Sequence, residues 1–205
     1  MIETARFVHI GQAEVEHLTK KDKKLGEAIA RIGPLERART SDLFEAMVGN
    51  IIAQQISGKA AQTILGRLAE RVGELVPLSI LGMTVEDIQS CGMSMRKAGY
   101  IHSIAGAAHA GVLDGLQAMT DEEVTARLVA LPGIGIWSAE MLLIFSLGRP
   151  DVVSFGDLGI RRGMQRLYGL KKEPTKAQFE RYRKRYRPYG TVASLYLWYL
   201  AGEAK

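Results

Sequence analysis

The sequence predicts an all-α protein of two helical lobes sharing a cleft. Three observations lead there. Apolar residues recur at i, i+3 or i+4, and i+7 along most of the chain, Ser, Thr and Asp stand where those stripes begin, and one glycine turn joins two of them. No internal repeat, low-complexity linker or composition shift marks separable domains. The 205 residues therefore read as a single unit 1–205, with approximate lobes at 41–147 and at 1–40 plus 148–205.

From the N-terminus, Leu25, Ile29 and Ile32 form a stripe ended by Gly33-Pro34. Asp42 and Glu45 open a helix carrying Leu43, Met47 and Ile51, and Ala61, Leu65, Leu68 and Val72 carry another. Thr84 to Asp87 is a short capped segment, and Ser94 starts a helix through Ile101, Ile104 and Ala108 to Gly111. Thr120 and Glu123 form a capping box ahead of Val124, Leu128 and Leu131. After a turn, Trp137, Met141 and Ile144 repeat the period until Gly148-Arg149-Pro150. Only Val152 to Phe155 is expected to be extended. Asp157 caps Leu158 to Tyr168, which Gly169 stops, Thr175-x-x-Gln178 opens a further helix, and Leu195 to Tyr199 form an apolar terminal one.

The turn between two of these helices is Leu131-Pro132-Gly133-Ile134-Gly135. Glycine adds no Cβ and tolerates positive φ, so backbone N–H groups there can approach an anion closely. The N-terminus of the next helix adds its own N–H groups, an arrangement suited to phosphate. The net charge of +5 favours a polyanionic partner without proving one.

Other classes fall away. No apolar run reaches the ~18 residues of a membrane helix, and an N-terminus containing Glu3, Arg6 and His9 lacks a signal-peptide core. The expected location is therefore intracellular, in the cytoplasm with the nucleoid for a prokaryote and in the nucleus for a eukaryote. Cys91 is the single cysteine, which excludes an internal disulfide, a cysteine-ligated iron–sulfur cluster and a cysteine-rich zinc site. It reads as a buried small hydrophobe. His9, His17, His102 and His109 form no metal-binding pair, so no metal site is expected.

Five motifs follow one another in order: Gln54-Gln55-Ile56-Ser57-x-Lys59-Ala60-Ala61, Gly92-Met93-Ser94-x-x-Lys97, Leu131 to Met141, Gly156-Asp157-Leu158-Gly159-Ile160-Arg161-Arg162, and Pro188-Tyr189 through Trp198. Together they resemble the helix-hairpin-helix (HhH-GPD) DNA glycosylases, in the alkylation-repair branch of 3-methyladenine DNA glycosylase II. The likeness runs over roughly residues 40 to 200.

The resemblance implies a monofunctional enzyme that flips out an alkylated purine of double-stranded DNA and hydrolyses its N-glycosidic bond, leaving an abasic site in base excision repair. It places the catalytic aspartate at Asp157. Breaking that bond builds positive charge on the deoxyribose, which a fixed carboxylate stabilises while orienting water. It places Trp137 and Trp198 around the flipped base, with Met141 where a relative carries an aromatic. Both tryptophans also fit plain packing roles. Gln55 is the implied wedge filling the gap in the stack, and Gly133, Ile134, Gly135, Ser138, Lys59 and Lys97 are the implied DNA-binding set. Trp137 occupies the position where related lyases carry a Schiff-base lysine, so no lyase activity is expected.

The chain departs from the pattern at Gly156, where relatives often carry a second acid. No cofactor is required, although a monovalent cation held by hairpin carbonyls is compatible with the motif, and a monomer is expected. The run Arg181-Tyr182-Arg183-Lys184-Arg185-Tyr186-Arg187 reads either as a nucleic-acid patch or as a solvated face anchored by Tyr182 and Tyr186. Two alternatives stay open: a non-catalytic helix-hairpin-helix DNA-binding module, and a glycosylase of the same fold for oxidised or deaminated bases.

Overall fold

The structure is a computed structural model that describes residues 7–202. Glu3 and Arg6 of the N-terminal reading lie outside the described residues. The helices are α1 (Gln12–Lys21), α2 (Lys23–Ile32), α3 (Leu43–Ala53), α4 (Gly58–Val72), α5 (Pro77–Leu81), α6 (Val85–Gln89), α7 (Met95–His109), α8 (Asp121–Val129), α9 (Ile136–Phe145), α10 (Leu158–Tyr168), α11 (Lys176–Tyr186) and α12 (Gly190–Gly202), with a 3-10 turn at Leu116–Ala118. Among the described residues there is no strand, only an isolated antiparallel bridge between Phe7 and Ala38.

The helices begin where side chains can take up the first unpartnered N–H groups. Asp42, Ser57, Thr84, Ser94, Thr120 and Thr175 each accept a bond from the N–H three residues on. At α8 the bond is reciprocated, since the Glu123 carboxylate accepts from both the Thr120 N–H and its hydroxyl.

The chain divides into two compact units, Thr40–Leu142 and Met1–Arg39 with Leu143–Lys205. The division falls inside α9 rather than at the Gly148 stop. That helix has apolar residues on all sides, with Ala139, Leu142, Leu143 and Ile144 buried, so its own pattern marks no boundary.

In the unit Thr40–Leu142, α7 packs against α3, α5 and α6. Met47 and Ile51 of α3, Ile80 of α5, Ile88 of α6 and Ile101 and Ile104 of α7 are fully buried there. In the other unit α10 and α12 lie so close that a Cβ on Gly163 would stand 2.0 Å from the Leu197 carbonyl oxygen, a separation only glycine permits. Ile160, Met164, Phe179, Tyr186, Tyr196 and Leu197 form its core with Leu18 and Leu25 from α1 and α2.

Three features go beyond the sequence reading. Residues Val152 to Phe155 pair with no strand. The Val152 N–H donates to the Thr191 hydroxyl and its carbonyl accepts from the Ser194 hydroxyl, so α12 side chains satisfy this buried backbone. Helices α1 and α5 were not foreseen, α5 starting on Pro77 without a side-chain cap.

The third concerns the basic run at α11, where Arg183, Arg185 and Arg187 are paired within the protein. Arg185 contacts Asp22 at 3.0 Å, Arg187 contacts Asp151 at 3.2 Å and Arg183 contacts Glu180 at 3.6 Å. Tyr182 and Tyr186 point inward, as the solvated-face reading requires. The Tyr168 hydroxyl donates to Asp22 at 2.7 Å and lies 2.7 Å from that of Tyr186. Burial pushes both phenols well above their ordinary range.

Candidate active site and nucleic-acid interface

The predicted site residues fall into two groups, one in each unit. In the unit Thr40–Leu142 the hairpin follows α8. Gly133 has a φ of +84°, and a Cβ there would lie 2.5 Å from the Tyr100 ring, so both conformation and space require glycine. Gly135 differs, since a Cβ there would meet nothing within 4 Å. Contacts within the protein therefore do not account for glycine at that position, whereas close approach of an outside partner would. Ile136 begins α9 and is exposed, and Trp137 is 44% exposed.

Side chains fix this turn from behind. The Gln54 Nε2 donates to the Gly133 carbonyl at 2.8 Å. Lys97 reaches from α7 to the last carbonyls of α3, donating to Ile52 at 2.8 Å and Gln54 at 2.6 Å. A cation at a helix C-terminus offsets the negative end of the dipole and satisfies orphan carbonyls. Burial, and secondarily the neighbouring Arg96 charge, holds the Lys97 ammonium below the usual lysine range. Lys97 thus ties α3 to α7.

Gln55 follows directly and is exposed, with a φ of +59°. It is the one non-glycine in the left-handed region among the described residues. That conformation costs roughly 1–2 kcal/mol for an L residue, so the anchoring of Gln54 holds the next side chain outward at an energetic penalty. Lys59 is exposed in the first turn of α4, where a cation opposes the helix dipole and is left to face solvent.

Three further site residues are buried. Ile134 and Ser138 are only 4% and 5% exposed, so their side chains belong to the interior and only their backbone could meet a phosphate. Met141 is buried as well.

In the other unit the residue singled out by sequence stands at the start of α10. Asp157 is 8% exposed, and its Oδ1 accepts from the Ile160 N–H at 2.8 Å and from the Trp198 indole N–H at 2.8 Å. The first bond is the helix cap that the sequence implies. The second joins α10 to α12 and was not legible, because it spans 41 positions.

Phe145 stacks on Trp198, ring centroids 5.7 Å apart. Gly159 lets the indole lie against α10, since a Cβ there would come within 2.8 Å of Trp198 Cδ1. Trp198, expected as a wall for the base, therefore also orients the carboxylate. Arg161 braces the loop before Asp157 by donating to the Phe155 carbonyl at 2.9 Å and pairing with Glu173 at 3.0 Å. Gly156 is exposed. Among the described residues no group of three or more His, Cys, Asp or Glu is placed to hold a metal ion, and no helix is long and apolar enough to cross a membrane.

Residues 48–188 match the family described as HhH-GPD superfamily base excision DNA repair protein. The chain belongs to that superfamily. Within the HhH-GPD proteins it is 34% identical to DNA-3-methyladenine glycosylase 1 of Schizosaccharomyces pombe over 91% of this chain and 86% of that protein. It resembles the crystal structure of a DNA-3-methyladenine glycosidase from Bacillus halodurans with a TM-score of 0.88 and 36% identity, covering 96% of this chain and 93% of that one. It also resembles the Schizosaccharomyces pombe 3-methyladenine DNA glycosylase solved in complex with abasic DNA, with a TM-score of 0.80 and 33% identity over 91% of this chain and 95% of that one. The HhH-GPD assignment accounts for the all-helical architecture and for the turn at Gly133 to Gly135.

Proposed function

We propose that this protein is a DNA glycosylase of base excision repair that releases alkylated purines by hydrolysis and leaves an abasic site. The carrying observation is Asp157, a buried carboxylate held on one oxygen by the Ile160 N–H and the Trp198 indole N–H. Those two donors hold the carboxylate in one orientation at the N-terminal end of α10. A fixed anion of this kind stabilises the oxocarbenium-like charge that grows on deoxyribose as the bond breaks, and can orient the attacking water. Alkylation at purine N3 or N7 makes the base a cationic leaving group, so no strong general acid is needed.

DNA engagement falls to the hairpin backbone, to Gln55 as the residue that enters the stack, and to Lys59. Trp137 carries no amine, so the reaction uses water and leaves the strand uncut. Incubation with a duplex containing 7-methylguanine, followed by assay of free base and of strand breaks, tests both parts. Base release with alkali-labile but otherwise intact strands is expected. Spontaneous strand cleavage would contradict the hydrolytic reading, and absence of free base would favour a DNA-binding module.

A further inference from the structure

The segment that delivers Asp157 ends in Phe155-Gly156-Asp157, and Gly156 in its middle is exposed and has no side chain to anchor it. Arg161, one turn into α10, holds both sides of that glycine. Its backbone N–H donates to the Asp157 carbonyl at 3.2 Å, and its Nη1 donates to the Phe155 carbonyl at 2.9 Å. The guanidinium also lies over the Phe155 ring, 5.5 Å from the centroid. Glu173 takes up the rest of the fork. Its carboxylate accepts from Arg161 Nε at 3.0 Å and stands 3.9 Å from Arg162 Nε. The buried Pro174 restricts the Glu173 backbone, and Thr175 caps α11 directly beyond it, so local sequence fixes where this acid sits.

Charge gives the same contact a second consequence. Breaking the glycosidic bond puts positive charge on the sugar beside Asp157, and nearby cations oppose it. Arg161 and Arg162 follow Asp157 by only four and five residues on α10, and Glu173 faces both. Resting on the glycosylase reading, we propose that Glu173 is a positioning residue for the reaction: through Arg161 it holds the Phe155–Asp157 segment, and it offsets the two arginine charges that follow the carboxylate. An acid facing a polyanion disfavours binding, so this residue raises the rate without raising affinity for DNA.

The test is single-turnover release of 7-methylguanine at saturating enzyme by the wild-type chain, Glu173→Gln and Arg161→Lys, with affinity for an abasic-analogue duplex measured in parallel. Glu173→Gln is expected to release base about fivefold more slowly while binding the duplex at least as tightly. Arg161→Lys keeps the charge, but one ammonium cannot span Glu173 and the Phe155 carbonyl, so release should fall about tenfold with affinity retained. Wild-type release by Glu173→Gln would overturn the proposal whatever Arg161→Lys does, and so would a slower rate matched by an equal loss of duplex affinity, the mark of a merely structural role. If Asp157→Asn releases base as fast as the wild type, the glycosylase mechanism fails instead; slow release by Asp157→Asn beside wild-type release by Glu173→Gln removes only the positioning role.

Discussion

In residues 40–142 the hairpin presents backbone atoms held by side chains, whereas in residues 1–39 with 143–205 the candidate catalytic atom is a side-chain oxygen held by a backbone N–H and an indole. The hairpin carbonyl of Gly133 is fixed by Gln54, the end of α3 is fixed by Lys97, and Gln55 is left outward at positive φ. Asp157 is buried and accepts from the Ile160 N–H and the Trp198 indole on one oxygen. The difference matches the two tasks. A polyanion of any sequence can be gripped by repeating backbone groups, but one bond is broken only by a charge held at one place.

Stability and binding can therefore be broken separately. The largest expected effect on folding is Gly163→Ala, because the new Cβ would overlap the Leu197 carbonyl and force α10 from α12. A loss of about 3 kcal/mol is expected, read by thermal denaturation. Gly133→Ala should cost about 2 kcal/mol through positive φ and the Tyr100 contact. Its main readout is weakened DNA binding by fluorescence anisotropy, and unchanged affinity would remove the hairpin from the interface.

Trp198→Phe keeps an aromatic ring beside Phe145 but deletes the donor to Asp157. Base release should slow about tenfold, corresponding to about 1.4 kcal/mol, while affinity for an abasic-analogue duplex is retained. Lys97→Met is the smallest change and separates a structural lysine from a DNA-contacting one. A lysine on a phosphate would lower the salt slope of DNA binding by about 1, whereas an unchanged slope with about 1 kcal/mol lost from stability is expected for a lysine bound to α3 carbonyls.

These predictions also separate what the sequence made legible from what it did not. Caps and boxes at Asp42, Thr84, Thr120 and Thr175 were legible because each is a bond over three residues. The same locality revealed Asp157 as a cap and Gly133 as a turn residue. Lys97 and Trp198 acquire their roles from contacts 43 and 41 positions away, which periodicity does not encode. That Ile134 and Ser138 turn their side chains inward was not legible, because a motif names positions, not which atoms remain at the surface. Val152 to Phe155 read as extended, but that the Val152 backbone bonds to hydroxyls of α12 was not legible, since those partners lie about 40 positions on.

The central claim is that Asp157 acts through its charge and not merely as a cap. Asn retains an oxygen that can accept from Ile160 and Trp198, so Asp157→Asn removes the charge while preserving the fold. The direct measurement is single-turnover release of 7-methylguanine by this variant alongside its affinity for abasic-analogue DNA. Release slower by roughly 10²–10⁴-fold with affinity retained is the expected result. Release at the wild-type rate would contradict the account.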